Sequence, residues 1–223
     1  MTAAENASQW LYPLMTWLSP SYPVGAYSYS HGLEWAVETG EVQDTASLLA
    51  WVEAALKHGG GRNDAILLAE AARARTAGDD ARFADTEALA AALAGSRERR
   101  LETLSQGRAF LDVTAKAWGG VENGEVAYPI AVGAAVAAHG LPLRPALEAY
   151  LHAFAANIIS AGVRLIPLGQ SDGQRAVAAL QPAVATLAAE AEAASPDEIG
   201  GCFFAGDIAA ILHETQYTRL FRS

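Results

Sequence analysis

The sequence predicts an all-α fold, a single-domain bundle of about nine or ten helices. Three observations predict it. Apolar residues recur at three- and four-residue spacing nearly everywhere, and strand-like alternation is almost absent. Much of the 52% apolar fraction is alanine, which favours closely packed helices. Glycine and proline punctuate the chain between the periodic segments. At 223 residues one core can serve the whole length, and no repeat, heptad run or composition break divides it.

Taken in order, Trp10, Leu11, Leu14, Trp17 and Leu18 line one side of a first helix, which Pro20 and Pro23 break. An aromatic, glycine-containing loop covers 21–28. A short helix fits about 30–39, with Ser28 or Ser30 as its cap, His31 and Glu34 paired one turn apart, and Gly40 as a left-handed end. Asp44 can cap a helix with the stripe Leu48, Leu49, Val52 and Leu56, which Gly59, Gly60 and Gly61 end. Another helix fits about 63–77, followed by a turn at 78–80 and an alanine-dominated helix over 81–94. Ser96 caps a long helix with Leu101, Leu104, Leu111 and Trp118 on one face.

Gly119-Gly120 and Asn123-Gly124 mark a loop. Pro129 then opens a helix of small residues (Ala131, Gly133, Ala134, Ala137, Ala138) that a neighbouring backbone can approach closely. Gly140 ends it. Pro142 or Pro145 starts a helix with the stripe Leu147, Tyr150, Leu151, Phe154, Ile158 and Leu165, which Pro167 and Gly169 stop. Ser171 and Gln174 have capping-box spacing for one helix reaching about Ala194. A last helix is expected from about Asp207 almost to the C-terminus.

Composition excludes several classes of function. The net charge is −10 and basic residues are few and scattered, which argues against nucleic acid. The single cysteine, Cys202, supplies no internal disulfide and no metal knuckle. Residues 1–9 lack a signal-peptide pattern, and no run of about 18 apolar residues predicts a membrane span, so the chain reads as cytoplasmic. Its two lysines, Lys57 and Lys116, follow no phosphate-binding loop. The five histidines share no helix face, and His213-Glu214 begins a zinc motif that Tyr217 leaves unfinished. No metal ligand and no catalytic residue is assigned.

Two other readings stay open. One is a serine hydrolase using Ser30 and His31 with Glu34 nearby, although GxSxG is absent and helix capping is the simpler account. The other is a regulatory bundle binding a metal or small molecule, with the helix over 131–138 lining a pocket.

Three segments carry a resemblance. Residues 18–34 read LSPSYPVGAYSYSHGLE and 157–170 read NIISAGVRLIPLGQ; the stretch from 207 to 223 reads DIAAILHETQYTRLFRS. Shorter matches lie at 99–107 and from Tyr128-Pro129 to Gly133. Together, in this order, they resemble the signature regions of the UreF family of urease accessory proteins over nearly the whole chain. The resemblance implies an all-α homodimer that is not an enzyme and holds no cofactor of its own. It implies docking onto UreD (also called UreH), recruitment of the GTPase UreG, and delivery of nickel to apo-urease by the wider complex.

Side-chain physics combined with the resemblance names partner-binding candidates. Tyr22, Tyr27, Tyr29, His31 and Glu34 lie in the first segment, and Tyr rings offer large contact area with a polar tip. Arg164 and Gln170 lie in the second, where the Arg164 guanidinium can bond the last carbonyls of its helix. Tyr217, Arg219, Phe221 and Arg222 belong to a tail, 216–223, rich in the aromatic and arginine anchors of protein interfaces. That tail is expected to order against UreD/UreH.

Overall fold

The computed structural model describes residues 3–223, with side chains from Ser8 onward. Its helices are α1 Ala3–Trp17, α2 Leu33–Glu38, α3 Thr45–His58, α4 Gly60–Ala77, α5 Asp80–Ala92, α6 Arg97–Ala117, α7 Tyr128–Ala138, α8 Leu143–Leu165, α9 Gln170–Ala179, α10 Gln181–Ala193 and α11 Phe204–His213. Single 3-10 turns occupy Ala26–Ser28 and Pro196–Glu198. Among the described residues there is no strand, and the all-α expectation holds.

The caps read from the sequence are largely where expected. Asp44 and Ser47 exchange side-chain and backbone bonds at the start of α3. Ser96 accepts from the Arg99 amide at the start of α6; Asp79, read only as part of a turn, proves to cap α5. Gly78 ends α4 in the left-handed conformation.

Four expectations are corrected. Gly59 alone separates α3 from α4, because Gly60 and Gly61 already belong to α4. A Cβ on Gly61 would meet the Leu56 Cα at 2.8 Å, so the absence of a side chain lets the two helices turn sharply on each other. The stretch 171–194 is two helices, α9 and α10, broken at Leu180. Pro182 sits in the first turn of α10, where a proline fits but cannot donate back to a continuous helix. Asp172, not Ser171, supplies the cap of α9, accepting from the Gly169 amide at 3.0 Å. Finally, α11 stops at His213, and 214–223 run as an irregular strap across the bundle.

The core is built around α4 and α8. α4 packs on α7, α5, α10, α3 and α8; α8 packs on α10, α9, α4, α3 and α2. α7 is apolar on every side and buried, as a helix hydrophobic all round must be. Gly133 is its contact point with α4: a Cβ there would lie 2.5 Å from the Leu68 carbonyl oxygen. α8 is long and apolar enough to meet the length and composition of a membrane span, which the sequence reading had not anticipated. Half of it is buried within the bundle, where it forms one wall of the core.

α6 departs from its predicted face. Leu101 is exposed, and the buried side carries Glu102, Gln106 and Thr114 beside Phe110 and Leu111. Buried polar groups require partners. Thr114 finds the Tyr22 hydroxyl at 2.8 Å, and Glu102 finds a charged cluster.

Candidate docking surface

The signature loop, the N-terminal half of α6, the end of α11 and the strap meet in one polar cluster. His31 opens it from a left-handed conformation (φ 55°), which a residue with a side chain adopts only when its surroundings hold it there. Arg99 lies 2.8 Å from His31 Nδ1, Glu102 lies 3.2 Å from Nε2, and the Phe154 ring packs at 4.9 Å between centroids. Arg99 can only donate, so Nδ1 accepts and Nε2 carries the proton toward Glu102. His31 is therefore neutral. Burial depresses its pKa to about 4; the Glu102 charge opposes that and the Arg99 charge adds to it.

The expected pairing of His31 with Glu34 does not form. Left-handed His31 turns its ring toward α6, and the glycine that follows it lets Glu34 face the opposite way. Gly32 is also left-handed, and a Cβ there would lie 2.8 Å from the Ala210 nitrogen of α11. α11 thus seats directly on the loop. Glu34 accepts from three groups: His213 Nε2 at 3.0 Å, the Leu220 amide at 2.7 Å and the Phe221 amide at 3.0 Å. His213, with 0% exposure, reaches Glu98 through Nδ1 at 2.7 Å. Both His213 ring nitrogens therefore face carboxylates. Arg219 closes this set on Glu98 at 2.6 Å.

The strap completes the cluster. The Ser30 amide donates to the Ser223 carbonyl at 2.6 Å, and the Arg222 amide donates to the Ser28 carbonyl at 2.7 Å. Ser30 Oγ also donates to the Ser223 carbonyl and accepts from the Glu34 amide. Ser223 Oγ donates to Glu102 at 3.1 Å. Phe221 is buried under the Arg164 guanidinium, 4.3 Å from its centroid. Burying that ring is worth roughly 1.5–3 kcal/mol, and the cation over it adds about 0.5–1 kcal/mol. Arg164 bonds the Ser160 carbonyl one turn back in its own helix at 3.3 Å, not one of the free last carbonyls expected, and the Tyr27 carbonyl at 2.8 Å.

The structure therefore brings His31, Glu34, Arg164, Arg219, Phe221 and the backbone of Arg222 together. It separates the tyrosines. Tyr22 and Tyr29 are buried, while Tyr27 is 69% exposed. Tyr217 is fully exposed and so stands free of the bundle. Gln170 is exposed at the start of α9, away from the cluster, while Leu168 beside it packs on the core. The strap is ordered on its own bundle, by its own chain's contacts.

Sequence reasoning missed His213 and Glu98 as the partners of Glu34, and missed the outer face of α11. Phe204, Ile208 and Ile211 are more than half exposed and Leu212 more than a third. Their 4-3-1 spacing puts them on one face, opposite buried Gly206, Ala209, Ala210 and His213. Leu220 and Tyr217 extend the apolar exposure along the strap. The periodicity of α11 was legible, but its apolar residues outnumber one stripe, and only packing decides which stripe the bundle covers.

The Ser30–His31 hydrolase arrangement is not assembled. The Ser30 hydroxyl is engaged by Ser223, and the His31 ring points to Arg99 and Glu102. The small-residue helix α7 packs on α4 and α6, and its residues 131–138 line neither of the two cavities beside the cluster.

Comparison with known proteins agrees with these landmarks. The sequence model of the UreF family matches residues 42–181. A urease accessory protein UreF of Rhodopseudomonas palustris is 54% identical over 231 residues, covering 100% of this chain and 97% of its own length. Those of Bradyrhizobium diazoefficiens and Xanthobacter autotrophicus are 51% and 52% identical, covering 99% and 96% of this chain. The relatives are accessory proteins rather than enzymes, and this chain belongs to the UreF family of urease accessory proteins.

Proposed function

We propose that this chain is a non-catalytic scaffold of urease maturation. In the cytoplasm it works as a homodimer that docks onto UreD/UreH, recruits the GTPase UreG and so supports nickel delivery to apo-urease. Nickel is cargo of the assembly rather than a resident of this chain. The observation that carries the reading is the apolar face of α11, continued by Leu220 and Tyr217 on the strap. Contiguous exposed apolar surface of this kind marks protein interfaces. An aromatic, a leucine and two arginines on one short strap fit the composition of interface anchors.

The buried cluster beneath gives that surface its shape. Glu34 fixes the backbone of Leu220 and Phe221, so Leu220 points outward while Phe221 points in. A pre-shaped strap costs less ordering on association than a free one. The test is affinity purification of the tagged chain from cells carrying the other accessory proteins and apo-urease, with urease activity and nickel content measured in parallel. Co-purification of UreD/UreH and UreG, with nickel-loaded urease only when this chain is present, is the expected result. Nickel-loaded urease in cells lacking the chain would overturn the reading.

A further inference from the structure

Beside the set of Glu34, Glu98, His213 and Arg219 lies a second set, in which two carboxylates share one guanidinium. Glu102 is saturated: Arg99 at 2.7 Å, His31 at 3.2 Å, Gln106 Nε2 at 3.1 Å and Ser223 Oγ at 3.1 Å. Asp64 has Arg99 only at 3.9 Å and a single hydrogen bond, from the Tyr150 hydroxyl to its Oδ2 at 3.0 Å. One guanidinium thus serves two carboxylates, and His31 is neutral. A net negative charge remains in a place where a charge needs a partner.

Asp64 lines a cavity of about 170 Å³ between α6, α8 and the signature loop. Aromatic rings make up much of its wall: Tyr22, Tyr128, Tyr150 and Phe154. Asp64 Oδ1 has no hydrogen-bond partner among the described residues, and the side chain is 15% exposed, on the wall shared by this cavity and a neighbouring one lined also by His31, Arg99 and Phe154. Aromatic faces beside a carboxylate whose nearest cation is distant and shared are the chemistry that receives an organic cation. Among the described residues no group of three His, Cys, Asp or Glu side chains is placed to hold a metal ion, at Asp64 or elsewhere.

We propose that the cavity at Asp64 receives one cationic side chain, a lysine or arginine, from a docking partner. Its volume is near the 150 Å³ that encloses a single benzene and below the roughly 300 Å³ of ordinary small-molecule sites, so it suits one inserted side chain. Its rim carries exposed Tyr27 and His152, on the surface of a chain with net charge −10, which draws basic partners. Only the source of the cation rests on the scaffold reading; the pocket itself is testable in the isolated chain.

The probes are n-butylammonium and n-butylguanidinium, side-chain analogues titrated into the full chain at pH 7.5 and followed by NMR, with n-butanol as the neutral control. Saturable millimolar binding that shifts the Asp64 and Phe154 signals is expected. Asp64→Asn, nearly isosteric, should weaken it at least tenfold, while exposed Asp197→Asn changes nothing. Ala153→Ile fills the cavity from α8 and should abolish binding by a route independent of charge. Equal binding of n-butanol, an unaffected Asp64→Asn, or no saturation in the millimolar range overturns the proposal. Micromolar binding of the free amine overturns the side-chain source, because it makes the pocket a small-molecule site.

Discussion

The contact between α4 and α7 and the cluster beneath the strap, the first sealed and the second partly open at Glu98 and Arg99, are built by opposite means. Leu68, Ala71, Ile130, Val132 and Gly133 meet with no charge between them. Their stability comes from shape, since interiors pack at crystal-like density. Glu34, Glu98 and His213, and beside them Arg99 and Glu102, meet through directed bonds between side chains. Such a network adds little net stability compared with an apolar core, yet breaking one member is costly. The first kind of packing holds the bundle together. The second fixes where one strap lies, and so fixes the surface offered to partners.

The largest expected effect comes from cutting the network. Glu34→Ala leaves His213 without one carboxylate and frees two strap amides. It should cost about 3–5 kcal/mol locally. Hydrogen exchange would show the Leu220 and Phe221 amides losing protection, while those of Leu68 and Val132 keep theirs. Unchanged strap protection would mean that Phe221 packing alone anchors the strap.

Next comes pH. Burial raises the Asp64 pKa to about 6 from 3.8, against the opposing pull of Arg99. The folded chain therefore holds that proton more tightly than the unfolded one, and this group's contribution falls as pH rises from about 4 through 6. Asp64→Asn removes the penalty. It should match the parent near pH 4 and exceed its stability at pH 7.5 by up to about 3 kcal/mol in urea melts. His31 works in the other sense: its pKa is depressed to about 4, so its contribution is lost as pH falls from about 6.5. A variant equally shifted at both pH values would remove Asp64 from this account.

Gly133→Ala tests the apolar side of the comparison. Its new Cβ meets backbone, the Leu68 carbonyl oxygen, and overpacking of this kind costs about 1–3 kcal/mol with no pH dependence. The smallest effect on stability belongs to Tyr217→Ala, within about 0.5 kcal/mol, because that ring touches nothing in the bundle. Its effect should appear instead as weaker co-purification of the other accessory proteins.

The same contrast explains what the sequence made legible. Helix caps at Asp44 and Ser96 are local, and so is the small-residue face of α7; each could be read from a few neighbouring letters. The pairing of Glu34 with His213 spans 179 positions, and nothing in the spacing of either residue announces it. Leu101 was placed on the buried face of α6 by hydrophobicity, yet Glu102 takes the interior because Arg99, His31 and Ser223 compensate it there. Tyr22 and Tyr29 alternate with Tyr27 in one motif, and only the turn at Gly25 decides which rings face the core. The resemblance found the right segments, and the fold assigned them their sides.

The central claim is that α11 and the strap form one protein-docking face. Its most direct test is Ile208→Ser combined with Ile211→Ser, assayed by co-purification with UreD/UreH and UreG and by urease activity in cells. The account predicts an unchanged thermal melt, loss of the complex and inactive, nickel-poor urease. A folded double variant that still assembles and gives fully active urease would contradict it.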